Sequence, residues 1–165
     1  MPIRDALLPE FDGEMARTRR VLERAPEAKF SWQPHAKSMT LGRLATHVAE
    51  LVGFGALILR TPEMDFSARD YKPRVAGSQK ELLELFDTSV RQTHTALAAA
   101  SDEALAQTWT LRDGDRVFLQ MPRAAALRAT SLSHVIHHRG QLTVYLRLND
   151  VPVPGVYGPS ADEPL

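Results

Sequence analysis

The residues with the clearest chemical potential are three histidines in one short stretch, residues 131–147, which reads SLSHVIHHRGQLTVYLR. His134 and His138 are four positions apart, a spacing that places two side chains on one face of an α-helix, one turn apart. Two imidazoles in that arrangement can bind one divalent metal ion. His137 is the rival partner of His134, but it points to a different side of the helix from His138. The spacing therefore predicts a helical pair of metal ligands.

The apolar residues around this pair indicate that it faces the protein interior. The flanking residues on one side of the histidine line are Leu132, Val135, Leu142 and Leu146. A helix that is apolar on most sides lies in a core, where a polar group without a partner costs several kcal/mol. The two histidines are therefore either hydrogen-bonded within the core or bound to a metal. A metal also requires at least a third ligand from elsewhere in the chain.

His47 is the candidate for that third ligand. It lies on the apolar stripe of a predicted second helix, which is formed by Thr40, Leu44, His47, Leu51, Phe54 and Ile58. The alternative is a core histidine that is satisfied by hydrogen bonds. Glu50, one turn further on, could orient or join a metal site, or it could be a solvated charge. If the three histidines bind one ion, we expect their nearest ring nitrogens to lie within roughly 3 to 4 Å of one another.

Hydrophobic periodicity predicts four long helices that would position these residues, at about residues 2–24, 40–60, 78–100 and 123–148. Thr40 or Ser38 can cap the second helix, and Ser78 with Glu81 forms a capping box for the third. Residues 101–121 are the least helical part, where Asp113-Gly114 is typical of a small hairpin or an extended loop. We predict one domain over residues 1–165, an all-α four-helix bundle without a substantial sheet.

The C-terminal segment DVPVPGVYGPSADEPL contains too many prolines and glycines for regular structure. We predict nevertheless that this tail is ordered against the bundle, near the metal end of the fourth helix. Its valines and Tyr157 would gain free energy by burial, and its prolines reduce the entropy lost on ordering. If the tail closed part of a pocket there, it would also help to exclude water.

Composition excludes several classes of function. The formal net charge is zero and there is no basic stripe, so we expect no nucleic-acid partner. The sequence shows no apolar run of transmembrane length and no signal peptide, which predicts a cytoplasmic protein without a membrane partner. Cysteine is absent, which excludes disulfides, a cysteine nucleophile and thiolate ligands. A metal site in this chain must therefore use histidine, carboxylate and water.

Several motifs together resemble the DinB-like (DinB/YfiT) family: WQPHAKSMTLGRLATHVAEL, MPRAAALR, SHVIHHRGQLTVYLR and VPVPGVYGPSADE. The similarity covers most of the chain. It implies a four-helix bundle of up-down-down-up topology, usually a homodimer, with a nickel or zinc site whose three ligands match His47, His134 and His138. His137 resembles a second histidine of the family motif that is not a ligand.

A three-histidine site with an open position favours a metal-dependent enzyme that acts on a small-molecule substrate. The metal could ionise a low-molecular-weight thiol, as the resemblance implies for S-transferases of the wider superfamily, or it could ionise water for hydrolysis. Gln141 and Tyr145 line the same helix face and could orient substrate, or serve packing and core hydrogen bonds. The alternative is a non-catalytic, dimeric metal-binding or stress-response protein.

A homodimer would use a face of the fourth helix that carries small residues, namely Ala129, Ser133, Ile136 and Gly140. Small side chains allow another helix to approach closely. The alternative is that this face packs within the bundle.

Overall fold

Helices dominate the structure, a computed structural model that describes residues 1–68 and 72–164. The helices are α1 (Ile3–Leu22), α2 (Leu41–Arg60), α3 (Gln79–Ala99), α4 (Asp102–Ala106), α5 (Arg123–Ala126) and α6 (Ser133–Leu148). A 3-10 turn (Glu27–Lys29) follows α1, and a π-helical segment (Leu127–Leu132) joins α5 to α6. The strands are β1 (Glu63–Asp65), β2 (Thr108–Asp113) and β3 (Arg116–Pro122).

The four long helical runs pack around one main core. Both α1 and α2 pack against α3 and against α6. The side chain of Thr40 accepts a hydrogen bond from the Arg43 amide at 3.2 Å, and that of Ser78 accepts one from the Glu81 amide at 3.1 Å. These side chains satisfy amides that the first turns of α2 and α3 leave unpaired. The predicted mostly helical architecture is therefore confirmed, with Thr40 rather than Ser38 as the cap of α2.

A three-stranded sheet shows that the strictly all-α prediction is wrong. Strands β2 and β3 form an antiparallel hairpin, and β1 joins β2 in parallel. Gly114 has a φ of +56° in the hairpin turn, a conformation that glycine adopts without steric cost. Arg112 on β2 contacts the carboxylates of Glu63 and Asp65 on β1, each at 2.7 Å. β1 has only three residues, too few to show the alternation that predicts a strand.

The fourth long helix is interrupted, which corrects the prediction of one continuous α-helix over residues 123–148. Its π-helical segment has wider turns, and the Ser133 amide at its end donates to the Arg128 carbonyl, five residues back. The Thr130 hydroxyl donates to the Ala126 carbonyl at 2.6 Å. The segment ends at Leu132, two residues before His134, so it sets the direction in which α6 enters the site.

Among the described helices, α2 is long and apolar enough to cross a membrane by length and composition alone. The sequence prediction that no such run exists is therefore wrong. However, 67 % of the most apolar 18-residue stretch of α2 is buried inside the protein. The core that α2 shares with α3 and α6 accounts for this apolar composition.

The C-terminal tail lies against α1 and α6. Its three valines, Val151, Val153 and Val156, pack against the main core. The Arg17 side chain donates to the Val156 carbonyl at 3.1 Å, and Arg147 forms an ion pair with Asp162. The described residues that line the cavity beside the three histidines do not belong to the tail. The tail therefore does not close that cavity.

A buried ion pair connects the tail to the bundle next to the histidines. Arg139, 2 % exposed, lies 2.7 Å from the carboxylate of Glu14 and donates to the Thr18 hydroxyl at 3.1 Å. The Tyr157 hydroxyl accepts a hydrogen bond from Arg139 at 2.6 Å and donates one to Glu14 at 2.8 Å. Because Arg139 directly follows His138, this network fixes α6 at the level of the site.

Candidate metal centre

The three predicted ligands converge in the structure. His47 extends from α2, while His134 and His138 extend from α6, which packs against it. One nitrogen from each ring lies within 4.8 Å of the other two, and the Nε2 atoms of His134 and His138 are 2.9 Å apart. The largest distance among these three nitrogens is somewhat longer than the roughly 3 to 4 Å expected for ligands of one ion. Small side-chain rotations would bring the group to that distance.

A side chain one turn away fixes the orientation of His138. Its Nδ1 lies 2.7 Å from the Gln141 Oε1 atom, so Nδ1–H is the donor in this contact. The lone pair of His138 is therefore on Nε2, the atom that faces His134. Metal-binding histidines usually have their second nitrogen held in this way. Of the two roles considered for Gln141 from the sequence, the hydrogen-bonding role matches this contact.

The π-helical segment holds His134 through the backbone. The His134 ring hydrogen-bonds the backbone of Thr130, four residues earlier. In an α-helix the carbonyl of Thr130 would accept a hydrogen bond from the amide of His134. The wider turns of a π-helical segment change which amide pairs with which carbonyl. Since Nε2 of His134 faces His138, the bond to Thr130 occupies the other ring nitrogen.

Two ring nitrogens on α6 face each other. The Nε2 atoms of His134 and His138 are 2.9 Å apart, a distance at which one nitrogen can donate a hydrogen bond to the other or both can bind one cation. Because Gln141 accepts from Nδ1–H of His138, the Nε2 atom of His138 is the acceptor or the ligand in this contact. Neutral imidazole nitrogens are the ligands that zinc, nickel and related ions accept. The donor set therefore fits a divalent metal ion.

His47 lies beside a charged pair on α2. Its Nδ1 is 3.4 Å from the Arg43 guanidinium and 3.8 Å from the Glu50 carboxylate, and these two charged groups are 2.9 Å apart. Burial opposes ionisation of Glu50, but hydrogen bonding with His47 and Arg43 outweighs it and lowers the pKa of the carboxyl. Glu50 is therefore ionised at neutral pH, positioned to orient His47 rather than solvated alone.

The electrostatic surroundings keep His134 and His138 neutral. Burial lowers the pKa of His138 to about 4, and repulsion from the neighbouring histidines acts in the same direction. Burial, together with His47, also lowers the pKa of His134. A neutral imidazole is the form that binds metal. Both side chains are therefore in the ligating form at neutral pH.

The depressed pKa of His138 predicts a pH-dependent stability of the metal-free protein. The unfolded histidine titrates near 6.5 and the folded one near 4, so the unfolded chain binds more protons between these values. Acidification from about pH 7.5 to 5 should therefore lower the free energy of unfolding by roughly 1–2 kcal/mol. Urea denaturation in the presence of chelator measures this. In His138→Gln the dependence should flatten, and an unchanged slope would contradict the assignment.

An apolar cavity of about 630 Å³ opens beside the histidines. It lies between α2, the π-helical segment and the sheet. The residues lining it are His47, Glu50, Leu51, Gly53, Phe54, Leu57, Met64, Phe66, Leu111, Ala129, Thr130 and His134. The cavity gives a small molecule access to the candidate ligands. One of its walls is the sheet, of which the sequence indicated the β2–β3 hairpin but not β1.

Two other residues considered from the sequence have different surroundings. His137 is exposed, and its ring packs against His138 with centroids 4.8 Å apart. Tyr145 donates to the Met39 carbonyl at 3.3 Å and packs edge-on against Trp32, which matches a packing role. A further histidine, His94 on α3, lies 3.6 Å from Asp12 on α1, outside the cluster.

Two further residues of the site were not predicted. Arg43 precedes His47 by one helical turn, so Arg43, His47 and Glu50 share one face of α2. That spacing could have indicated from the sequence that Arg43 lies at the site. Thr130 acts through its backbone, and no side-chain pattern indicates that contact.

The fold and the site together define a class of protein, a helical bundle with three histidines that face an apolar cavity and could hold one metal ion. The sequence matches the DinB superfamily over residues 10–142, so the chain belongs to this superfamily. The resemblance inferred from the sequence motifs is thereby confirmed.

Relatives and solved structures agree with this assignment. The uncharacterised protein YrdA of Bacillus subtilis strain 168 is 28 % identical over 163 residues, which cover 96 % of this chain and 90 % of that protein. A DinB-like protein of Bacillus cereus ATCC 10987 has a TM-score of 0.72 at 26 % identity, covering 94 % of this chain and 98 % of the other. A DinB-like protein of Bacillus subtilis, YjoA, shares the fold with a TM-score of 0.66 at 20 % identity, over 88 % and 92 % of the two chains.

Proposed function

We propose that this protein is a metal-dependent enzyme in which His47, His134 and His138 hold one divalent cation, nickel or zinc. The observation that carries the proposal is the convergence of one nitrogen from each of the three rings within 4.8 Å, with the two Nε2 atoms of α6 2.9 Å apart. Gln141 holds the second nitrogen of His138, as is usual for a histidine that binds metal. The adjoining cavity supports a catalytic rather than a structural role, because structural sites are usually closed by a fourth protein ligand.

Bound in this site, a divalent cation would lower the pKa of a water or thiol and so supply the nucleophile that a cysteine-free chain lacks. The protein groups have supporting roles. Gln141 and the Thr130 backbone orient two of the histidines, and Glu50 lies beside the third. The apolar cavity binds the substrate and limits the access of water to it.

Two reactions fit this arrangement. With a low-molecular-weight thiol as co-substrate, the enzyme would be an S-transferase that joins the sulfur to an electrophilic carbon and expels a leaving group. With water as the nucleophile, it would be a hydrolase of esters or amides. The apolar cavity is compatible with both reactions, since each needs a small organic substrate close to the histidines.

A substrate panel tests the proposal. Thiols combined with electrophiles, and separately esters and amides, are assayed with protein purified without a histidine tag. Turnover should disappear with chelator, return with added nickel or zinc, and be absent in His138→Ala. His94→Ala is the matched control, because His94 is a histidine outside the cluster. Fully metal-loaded protein without any turnover would favour the alternative, a non-catalytic metal-binding protein.

We also propose that the protein is a homodimer that pairs through one face of α6. Ser133 and Gly140 are exposed on this face, and a side chain at Gly140 would have no atom within 4 Å. Val144 continues the same face and is 57 % exposed. Most of this face is therefore exposed to solvent rather than packed within the bundle. Exposed small and apolar residues favour association with another helix.

Val144→Glu should weaken this dimer, because it places a charge where two copies would meet. Sedimentation at micromolar concentration should give a dimer for the natural chain and an 18.4 kDa species for the variant. Val117→Glu on β3 is the control, since Val117 is similarly exposed, at 54 %. A natural chain that sediments only as a monomer would refute the dimer.

A further inference from the structure

We propose that the cavity beside the histidines binds the uncharged, apolar part of the substrate, an aromatic ring or an alkyl chain, with the reacting group at the histidine end. The orientation of the reacting group rests on the proposed metal-dependent function. The binding of the apolar part rests on the cavity alone.

The polarity of the cavity changes along α2. His47 and Glu50 lie at one end, and Phe54 and Leu57 follow on the same helix face. Ten residues of helix span about 15 Å, so the lining runs from polar to apolar over the length of a small organic molecule. Thr130 and His134 lie in the cavity wall contributed by the π-helical segment and α6.

The apolar end is built by the sheet. Met64 on β1 and Leu111 on β2 line it, with Phe66 just beyond β1. Met64 is 8 % exposed, and methionine adapts its shape to different apolar ligands. Phe66 is 37 % exposed and packs edge-on against Phe118, so it forms an aromatic rim at the cavity. The sheet therefore supplies the surface that would select the ligand.

The side chains around the cavity exclude an ionic ligand in its apolar part. The described lining residues include one carboxylate, Glu50, which forms an ion pair with Arg43, and no lysine or arginine; the two histidines of the lining lie at the polar end. A charged group placed among Phe54, Leu57 and Met64 would lose hydration without gaining a partner. A volume of about 630 Å³ lies within the range of pockets for small organic molecules.

The first test uses a neutral fluorescent probe, N-phenyl-1-naphthylamine, whose emission rises in apolar sites. We expect saturable binding to the natural chain, with or without chelator. Ala129→Phe would fill the cavity from the π-helical segment and should weaken binding at least tenfold. Ala125→Phe is the matched control, because it makes the same change one turn earlier, at an exposed position outside the lining. It should bind within twofold of the natural chain.

A second pair of variants tests the contribution of the sheet independently. Phe66→Ala should weaken probe binding severalfold, whereas Phe118→Ala should have little effect because only Phe66 lines the cavity. Circular dichroism and sedimentation of every variant identify any loss of folding or association. Absence of saturable binding, or equal losses in both members of each pair, would overturn the proposal.

A third experiment separates this inference from the proposed function. Alkyl hydroxamates, which chelate divalent metals, are titrated into metal-loaded protein. Their affinity should rise roughly three- to fourfold for each added methylene as the chain enters the cavity. Metal-dependent binding without dependence on chain length would overturn the apolar site and leave the metal centre standing. Probe binding without any metal-dependent hydroxamate binding would support the cavity and refute the metal-dependent function.

Discussion

His138→Ala is expected to reduce the metal content of the untagged protein from about one ion per chain to almost none. The substitution removes one of three ligands and the Nε2 atom that faces His134 at 2.9 Å. Loss of a residue that only orients a ligand usually weakens metal binding by 10- to 100-fold, so loss of a ligand should weaken it by at least about 100-fold. Inductively coupled plasma mass spectrometry of the purified protein measures the content directly.

His94→Ala provides the comparison for this result. His94 lies beside Asp12, outside the cluster formed by the other three histidines. Its variant should retain the metal content of the natural chain. If both variants lost metal equally, or both kept it, the ligand assignment would be wrong.

Gln141→Ala should give an intermediate result. The ring of His138 would lose the acceptor that fixes its Nδ1–H, while all three ligands would remain. We expect metal affinity to fall by about 10- to 100-fold, as for other residues that orient a metal ligand. Competition with a coloured chelator of known affinity measures the change. Unchanged affinity would show that Gln141 has no orienting role.

Arg139→Leu is expected to lower the free energy of unfolding by about 3 kcal/mol, the lower end of the range for breaking a buried ion pair. The Glu14 carboxylate would lose its nearest partner, at 2.7 Å, and the Tyr157 hydroxyl would lose its hydrogen bond from Arg139. Glu14 would keep Arg17 at 3.4 Å and the Tyr157 hydroxyl at 2.8 Å, which limits the loss. An exposed ion pair contributes only about 0–1 kcal/mol. Urea denaturation followed by circular dichroism provides the measurement.

The matched control is Arg128→Leu, in the same helical run. Arg128 pairs with Glu10 at 2.6 Å, but its side chain is 58 % exposed. That variant should lose at most about 1 kcal/mol. A double variant, Glu14→Leu with Arg139→Leu, should recover part of the stability, because the buried carboxylate that lost its nearest partner is then removed. Equal losses for the two single arginine variants would contradict the structural role assigned to Arg139.

Sequence periodicity predicted the positions of the four long helical runs, because their apolar residues recur at helical spacing, but not the π-helical interruption of the fourth. The observed starts of α2 and α3 follow the caps Thr40 and Ser78. The strand β1 was not predictable, since its three residues are held by pairing with β2 and by two carboxylate contacts to Arg112. Those partners are distant in sequence, and their contacts become visible only in the folded chain.

The ligand positions in the candidate site were predictable from helical periodicity, as the helices were. The spacing of four residues indicated His134 and His138 as ligands, and a position on the apolar stripe of α2 indicated His47. The contact of His134 with the Thr130 backbone was not predictable, because it depends on a π-helical register that residue types do not specify. The cavity was not predicted, because β1 and its pairing with the β2–β3 hairpin, which complete the sheet that lines it, were not predicted.

Anomalous X-ray diffraction from crystals of untagged protein grown with nickel or zinc tests the central claim most directly. Data collected on both sides of the absorption edge of the metal would locate the ion. We predict one strong peak enclosed by His47, His134 and His138, with ring nitrogens at roughly 2.0–2.1 Å and one coordination position facing the cavity. A map without a peak there, or with the metal beside His94 and Asp12 instead, would contradict the account.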